Sequence, residues 1–261
     1  RLFKTKFITN EGADAIEIKG EKLTADSIQN DIERVRNLTY AALDRAHRFV
    51  RVWRKTGWAI EELDLLISQL KVSGVATDIA AVTLTTIGHI LRLQEQLKLS
   101  FKEVFSVLYG LPTISLEENE KSFLDSLFNH EDVVLAEGSY PKTSVKLIHP
   151  SLAIDQSSAS AEFSSSRLIM ALNRSDDEVL ALIKHLARPL GIVALDSATE
   201  SERGFNITLV NLSLLYRHSK IAETLKLPVG DLFRIIKLIP SIANGYLENI
   251  GHVYTLLDFV D

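Results

Sequence analysis

The chain contains no cysteine. That excludes a disulfide-stapled secreted module, a thiolate nucleophile and any cysteine-ligated metal. Positive charge is in deficit, with 29 Lys and Arg against 34 Asp and Glu, a net charge of −5 and a pI near 5.9. Such a balance supplies no drive toward nucleic acid or an anionic membrane. Long apolar runs are missing as well. Two of the longest stretches free of formal charge, Ile79 to Leu91 and Gly204 to Tyr216, fall short of the roughly 20 residues that a membrane-spanning helix needs. An initiator methionine is absent; the first residue is Arg1, the only methionine is Met170, and no signal-peptide pattern follows the start. An internal piece of a longer protein, soluble by itself, is the expectation. What is present is 46% hydrophobic residues in 261, ample for one large core or two smaller ones.

The periodicity is mostly helical. Lys6 to Thr9 and Ala15 to Ile18 mix apolar and polar residues at strand-like spacing around Asn10-Glu11-Gly12, which predicts a short hairpin ended by Gly20. From Thr24 a helical period is expected, with Ile28, Ile32, Val35 and Leu38 on one face. In the next helix Leu43, Ala46, Val50 and Trp53 are expected to turn inward, with Asp44, Arg48, Arg51 and Lys55 outward. Gly57 stands where a glycine just past the last turn would stop that helix. Another begins near Ile60 with Leu63, Leu66, Ile67 and Leu70 inward.

A unit of helix, tight turn, cap, acidic residue and apolar helix then recurs, aligned on Glu62, Glu103, Glu178 and Asp231. Ser100 with Glu103 makes a capping box, and Ser175 with Glu178 repeats it; Pro228 opens the last copy. The spacings of 41, 75 and 53 residues are too irregular for a solenoid. Either irregularly stacked helical hairpins share a unit, or any hairpin selects these caps. Leu116 to Leu127 reads as one more helix, Leu168 to Leu186 and Ile207 to Lys237 resume the pattern, and Leu247, Ile250, Tyr254 and Leu257 mark a last helix. The expected organisation is a β-hairpin segment at 1–22, a helical subdomain at 23–128, a long loop at 129–163 holding Gly138, Pro141, Pro150 and a serine-rich run, and a second helical subdomain at 164–261. The fold class is mainly α.

Chemistry is sparse. The seven histidines, His47, His89, His130, His149, His185, His218 and His252, lie at no metal-ligand spacing. There is no nucleophile elbow, P-loop or dinucleotide fingerprint, so no catalytic residue, metal or cofactor is expected. Acidic pairs such as Glu61 and Glu62 belong to first helical turns, where the helix dipole favours them. Asn37, Asn173, Asn206 and Asn211 head N-x-[ST] matches, a number near chance. The sharpest charge feature is Arg45, Arg48, Arg51, Arg54 and Lys55, which reads either as a contact for a phosphate, glycan or protein or, more simply, as a solvated helix face. A DNA-reading helix-turn-helix is disfavoured by the acidic net charge.

Leu43-Asp44-Arg45-Ala46-His47-Arg48-Phe49-Val50-Arg51-Val52-Trp53-Arg54-Lys55-Thr56-Gly57-Trp58, continued by Glu61-Glu62-Leu63-Asp64, resembles the signature of the A components of bacterial toxin complexes (Tc toxins), a group that includes the Salmonella virulence plasmid A protein. Tyr109-Gly110-Leu111-Pro112-Thr113 and Phe123 to Asn129 follow in the family's order, as do Leu91 to Leu108, Leu168 to Leu186 and Leu212 to Ile236. The resemblance runs over roughly residues 3–260. It implies an α-helical shell region of a large pore-forming, toxin-translocating protein released from a bacterium. It implies a homo-pentamer, packing against other parts of the same chain, B and C toxin partners held through other regions, and a possible host receptor or glycan. It carries no catalytic residue here. Trp53, Gly57 and Trp58 are expected to lock the first hairpin, and 129–163 is too short for an inserted receptor-binding module.

Overall fold

The structure is a computed structural model, and it describes residues 2–9, 15–116, 119–131, 134, 138–141, 145–146 and 165–260. The fold is mainly helical, with one short antiparallel hairpin near the start and no described helix long and apolar enough to cross a membrane. The chain divides into two compact units, residues 1–95 and 96–261. The division falls in the last turn of a helix, not in 129–163.

After a 3-10 turn at Leu2–Lys4, the first unit has a helical turn, α1 (Lys6–Thr9), where a strand was expected. The reason lies far along the chain: the Asp64 carboxylate accepts the Lys6 and Phe7 amides at 2.9 Å each, capping the turn from a distance. The hairpin is built later. β1 (Glu17–Glu21) pairs antiparallel with β2 (Ile32–Arg36), Ile18 facing Val35 and Gly20 facing Glu33. Gly20 therefore sits inside β1, and the helix expected from Thr24 does not form. Thr24, Ser27 and Asp31 direct their side chains into a local turn instead, the usual competition of such residues with helix. Glu21 pairs with Arg34 and Arg36 across the strands. The turn expected at Asn10-Glu11-Gly12 lies outside the described residues.

Three helices complete this unit: α2 (Tyr40–Thr56), α3 (Ile60–Val72) and α4 (Ala81–Leu97). Thr39 caps α2 by accepting the Ala42 amide at 3.2 Å. The inward stripe of α2 is rotated from the expected one. Ala42 and Phe49 are buried, Ala46 and Trp53 are half-buried, and Leu43 is 46% exposed. Phe49 stacks on Phe7 with centroids 6.1 Å apart, so α1 selects the face that α2 buries. On α3 the buried residues are Leu63, Leu66, Ile67 and Leu70.

The second unit contains α5 (Phe101–Tyr109), α6 (Phe123–Phe128), α7 (Ser165–Leu172), α8 (Asp176–His185), α9 (Ala187–Leu190), α10 (Leu209–Thr224), α11 (Val229–Leu238) and α12 (Ile250–Val260). A two-residue ladder, β3 (Val145–Lys146) with β4 (Phe205–Asn206), joins distant segments. The helix expected at Leu116 to Leu127 is shorter, because Ser122 caps α6 by accepting the Asp125 amide at 3.1 Å. The central helix α10 buries nine residues that span its whole circumference, Leu212, Leu215 and Ile221 among them, the pattern of a helix enclosed by others. Gly110 ends α5 with φ 102°, and an added Cβ would lie 3.1 Å from Ser213 Oγ. That hydroxyl accepts the Leu111 amide at 3.0 Å, so the backbone of 110–111 runs against α10 where only glycine fits. Much of 129–163 is outside the described residues, but Asn129 and Tyr140 are buried in this unit. Arg167 donates to Phe128 O at 2.7 Å and lies 3.6 Å over the Tyr140 ring.

Candidate functional site

Polar groups concentrate around one turn of the first unit and at more than one place in the second. In the first, residues 43–64 form the turn between α2 and α3 and its surroundings. Gly57 takes a left-handed conformation, φ 71°, and donates its amide to Trp53 O at 3.2 Å. Trp53 Nε1 donates across the turn to Trp58 O at 2.8 Å, and Trp58 Nε1 donates to Gln94 Oε1 at 2.7 Å. Glu62 accepts the Ala59 amide at 2.9 Å, closing the start of α3. Trp53, Trp58 and Glu62 therefore each close a turn or tie one helix to another.

The five cations on α2 do not form one patch. Arg45 is half-buried and donates to Ile8 O at 3.0 Å. Arg48 pairs with Asp44 at 2.7 Å and Asp78 at 2.8 Å, and the Asp78 hydrogen bond holds its guanidinium above the ordinary range. Arg51, Arg54 and Lys55 are exposed, and among the described residues no carboxylate lies within ion-pair distance of them. These three edge a groove of about 640 Å³ between α2 and α4, with Ile79 and Ile87 buried in its floor and Leu84, 49% exposed, at its lip.

In the second unit Ser100 and Glu103 complete a capping box at α5, with the Ser100 amide 2.8 Å from Glu103 Oε2 and the Glu103 amide 3.3 Å from Ser100 Oγ. At α8 only half of the device forms. Ser175 accepts the Glu178 amide at 3.4 Å, while the Glu178 carboxylate turns to Arg174 at 3.2 Å. Asp231 likewise pairs with Arg234, leaving Pro228 to start α11 without a side-chain cap. Glu103 also meets Lys220 at 2.7 Å, and Lys220 meets Glu223 at 3.0 Å, beside a cavity of about 150 Å³. Burial works to raise the Glu103 carboxyl, but Lys220 and Ser100 outweigh it and hold it below the ordinary range. Burial works against the Lys220 ammonium, and the two carboxylates raise it instead. Both shifts favour the charged forms, opposite to the tuning that moves a carboxyl or an amine toward neutral pH for proton transfer. Among the described residues no three His, Asp or Glu side chains are grouped to hold a metal ion.

Two buried residues that sequence reasoning did not single out sit beside one another on α10. Arg217 donates to Val107 O at 2.6 Å, Leu108 O at 3.3 Å, Leu247 O at 3.0 Å and Glu248 O at 2.8 Å. His218 is fully buried; its Nε2 accepts the Leu247 amide at 2.8 Å and its Nδ1 lies 2.9 Å from Leu214 O. Because Nε2 accepts, the proton is on Nδ1 and the ring is neutral. Burial pushes the His218 imidazolium down to about 3. The available signal was the uncharged run up to Tyr216 followed at once by Arg217 and His218, polar groups in a helix with no exposed face to hold them.

No family model matches the chain, and no curated protein matches it.

Proposed function

We propose that the chain is a structural α-helical module from the shell of a Tc-toxin A component, the pore-forming, toxin-translocating member of an insecticidal-type complex. One observation supports this above the others. Within 43–64, the stretch that resembles the family's signature, Arg45, Arg48, Trp53, Trp58, Glu62 and Asp64 all direct their polar groups to neighbouring backbone or side chains of the same unit. Such a signature specifies a helical hairpin rather than a reaction. The module has no enzymatic step; it encloses a channel by packing leucine-rich hairpins until a trigger such as a pH change opens the assembly. Its partners are other parts of the same chain, further copies in a homo-pentamer, and, through regions outside this chain, B and C components.

The test is negative-stain electron microscopy of the full-length protein that contains this chain, before and after a pH shift with liposomes. Pentamers that place a needle-like channel in the membrane are expected. A monomer or a featureless small oligomer would refute the toxin-machine reading. A second reading, a module that binds a host-surface protein or glycan, is favoured by Arg51, Arg54 and Lys55, exposed and without a carboxylate partner among the described residues; binding lost on Arg51→Glu with Arg54→Glu, the fold being intact, would support it.

A further inference from the structure

We infer that the groove between α2 and α4 docks an acidic amphipathic α-helix of a protein partner. The inference stands on the geometry of the first unit and does not depend on the toxin reading. The volume, about 640 Å³, is in the range of built binding clefts, yet the cleft is an open trough rather than an enclosed cavity. Its floor is apolar, formed by Val52 of α2, Ile79, and Ile87 and Leu91 of α4, and Leu84 stands exposed at its lip. The stretch Leu84 to Leu91 covers about 11 Å of helix axis. That length matches the i, i+4 and i+7 side chains of two turns of a docked helix.

Charge selects the sign of the occupant. Arg51, Arg54 and Lys55 edge this trough, all exposed, and among the described residues none has a carboxylate partner. Arg48, by contrast, is engaged by Asp44 and Asp78 and serves the wall. Carboxylates flanking the apolar anchors of a docked helix would meet these three exposed cations, whereas a basic helix would be repelled. A polyanion would use the cations and leave the apolar floor wet.

Gly88 is the second feature. It lies in the middle of α4 and lines the trough, and among the described residues nothing stands within 4 Å of a Cβ added there. Glycine in a helix interior lowers stability relative to alanine, and no described neighbour requires it. The missing side chain leaves the trough open to a second helix at close range.

The test uses the 261-residue chain and a fluorescein-labelled helical peptide with leucines at i, i+4 and i+7 and glutamates beside them, read by anisotropy. The same peptide with lysines in place of glutamates, heparin, and dodecanoate are the comparison probes. The acidic peptide is expected to bind and the lysine peptide to bind at least about tenfold more weakly. Arg51→Glu with Arg54→Glu should weaken the acidic peptide by about tenfold or more and reverse the preference between the two peptides. Gly88→Trp should fill the trough and abolish binding while circular dichroism and the melting temperature show an intact fold. Should Gly88→Trp fail to fold, Leu84→Glu, at an exposed side chain, should abolish binding in its place. Binding unchanged by a folded Gly88→Trp or Leu84→Glu overturns the inference, as does equal binding of the two peptides. Heparin or dodecanoate binding without acidic-peptide binding overturns it too.

Discussion

His218 should make the second unit acid-sensitive in a window where few carboxylates titrate. The ring is fully buried, stacked 5.2 Å from Phe233, and its Nε2 is the acceptor for the Leu247 amide. Protonation would point a second N–H at that amide and place a charge beside Arg217, so burial holds the folded imidazolium at about 3. In the unfolded chain the same ring titrates near 6.5. The folded value is depressed, so the stability contribution is present above about pH 6.5 and is lost as pH falls from there toward about 3, while only the unfolded chain takes up the proton. By proton linkage the loss between pH 7 and pH 5 is about 2 kcal/mol, and by pH 4 about 3 kcal/mol. Urea unfolding of the chain and of His218→Gln at pH 7, 6 and 5 reads the difference directly; glutamine keeps an acceptor for Leu247 but does not titrate. His185 is shifted down as well, mainly by burial and then by Lys237 and Lys184, and its contribution cancels in the comparison. Unfolding free energies of the two proteins that run parallel between pH 7 and pH 5 would refute the reasoning.

Further expectations follow from the same contacts. Trp53→Ala should cost about 2–3 kcal/mol, below the fully buried case because the ring is half-exposed, and Trp53→Phe about 1 kcal/mol for the lost bond to Trp58 O; chemical denaturation distinguishes the two, and a cost near zero for both would show that the turn does not depend on this side chain. Arg217→Met should cost about 3 kcal/mol or more, since four carbonyls lose a charged donor, and Arg217→Lys should recover only part of it because a point charge cannot reach all four; the melting temperatures of the pair check this. Asp64→Ala should cost about 1 kcal/mol and speed amide exchange at Lys6 and Phe7 while leaving the middle of α3 protected. Uniform exchange across the unit would instead mean that Asp64 acts on global stability.

What could be read ahead of the structure was what is settled within a few residues. The inward face of α3 and the Ser100–Glu103 box depend on neighbours three and four positions away, and both are present. The failures are non-local. α1 is a helical turn because Asp64, far along the chain, caps it. Residues 32–36 carry a pattern that fits a helix, but Glu21 between Arg34 and Arg36, with Ile18 against Val35, stabilises a strand. The stripe of α2 was set by Phe7 meeting Phe49. At the candidate site the cationic run was visible, but its division was not, because the partners of Arg45 and Arg48 are Ile8 and Asp78 rather than residues of the same helix alone.

The same non-local logic explains where the second unit places two of its buried cations, Arg167 and Arg217. A helix leaves its last carbonyls without partners, and these hairpins close several of them with side chains from another helix. Arg217 of α10 reaches Val107 and Leu108 at the end of α5. Ser219, also of α10, donates to Leu172 O, the last residue of α7, at 3.0 Å. Arg167 of α7 reaches Phe128 O, the last residue of α6. A cation at a helix C-terminus also complements the dipole, so arginine serves there as donor and as counter-charge. It follows that the effect of removing such a group should appear on the helix whose end it closes. In Arg217→Met, amide exchange should rise first around Tyr109 to Leu111, before the middle of α10 loosens. Loss of protection in α10 at the same rate would mean that Arg217 stabilises its own helix and that the closure of α5 is incidental.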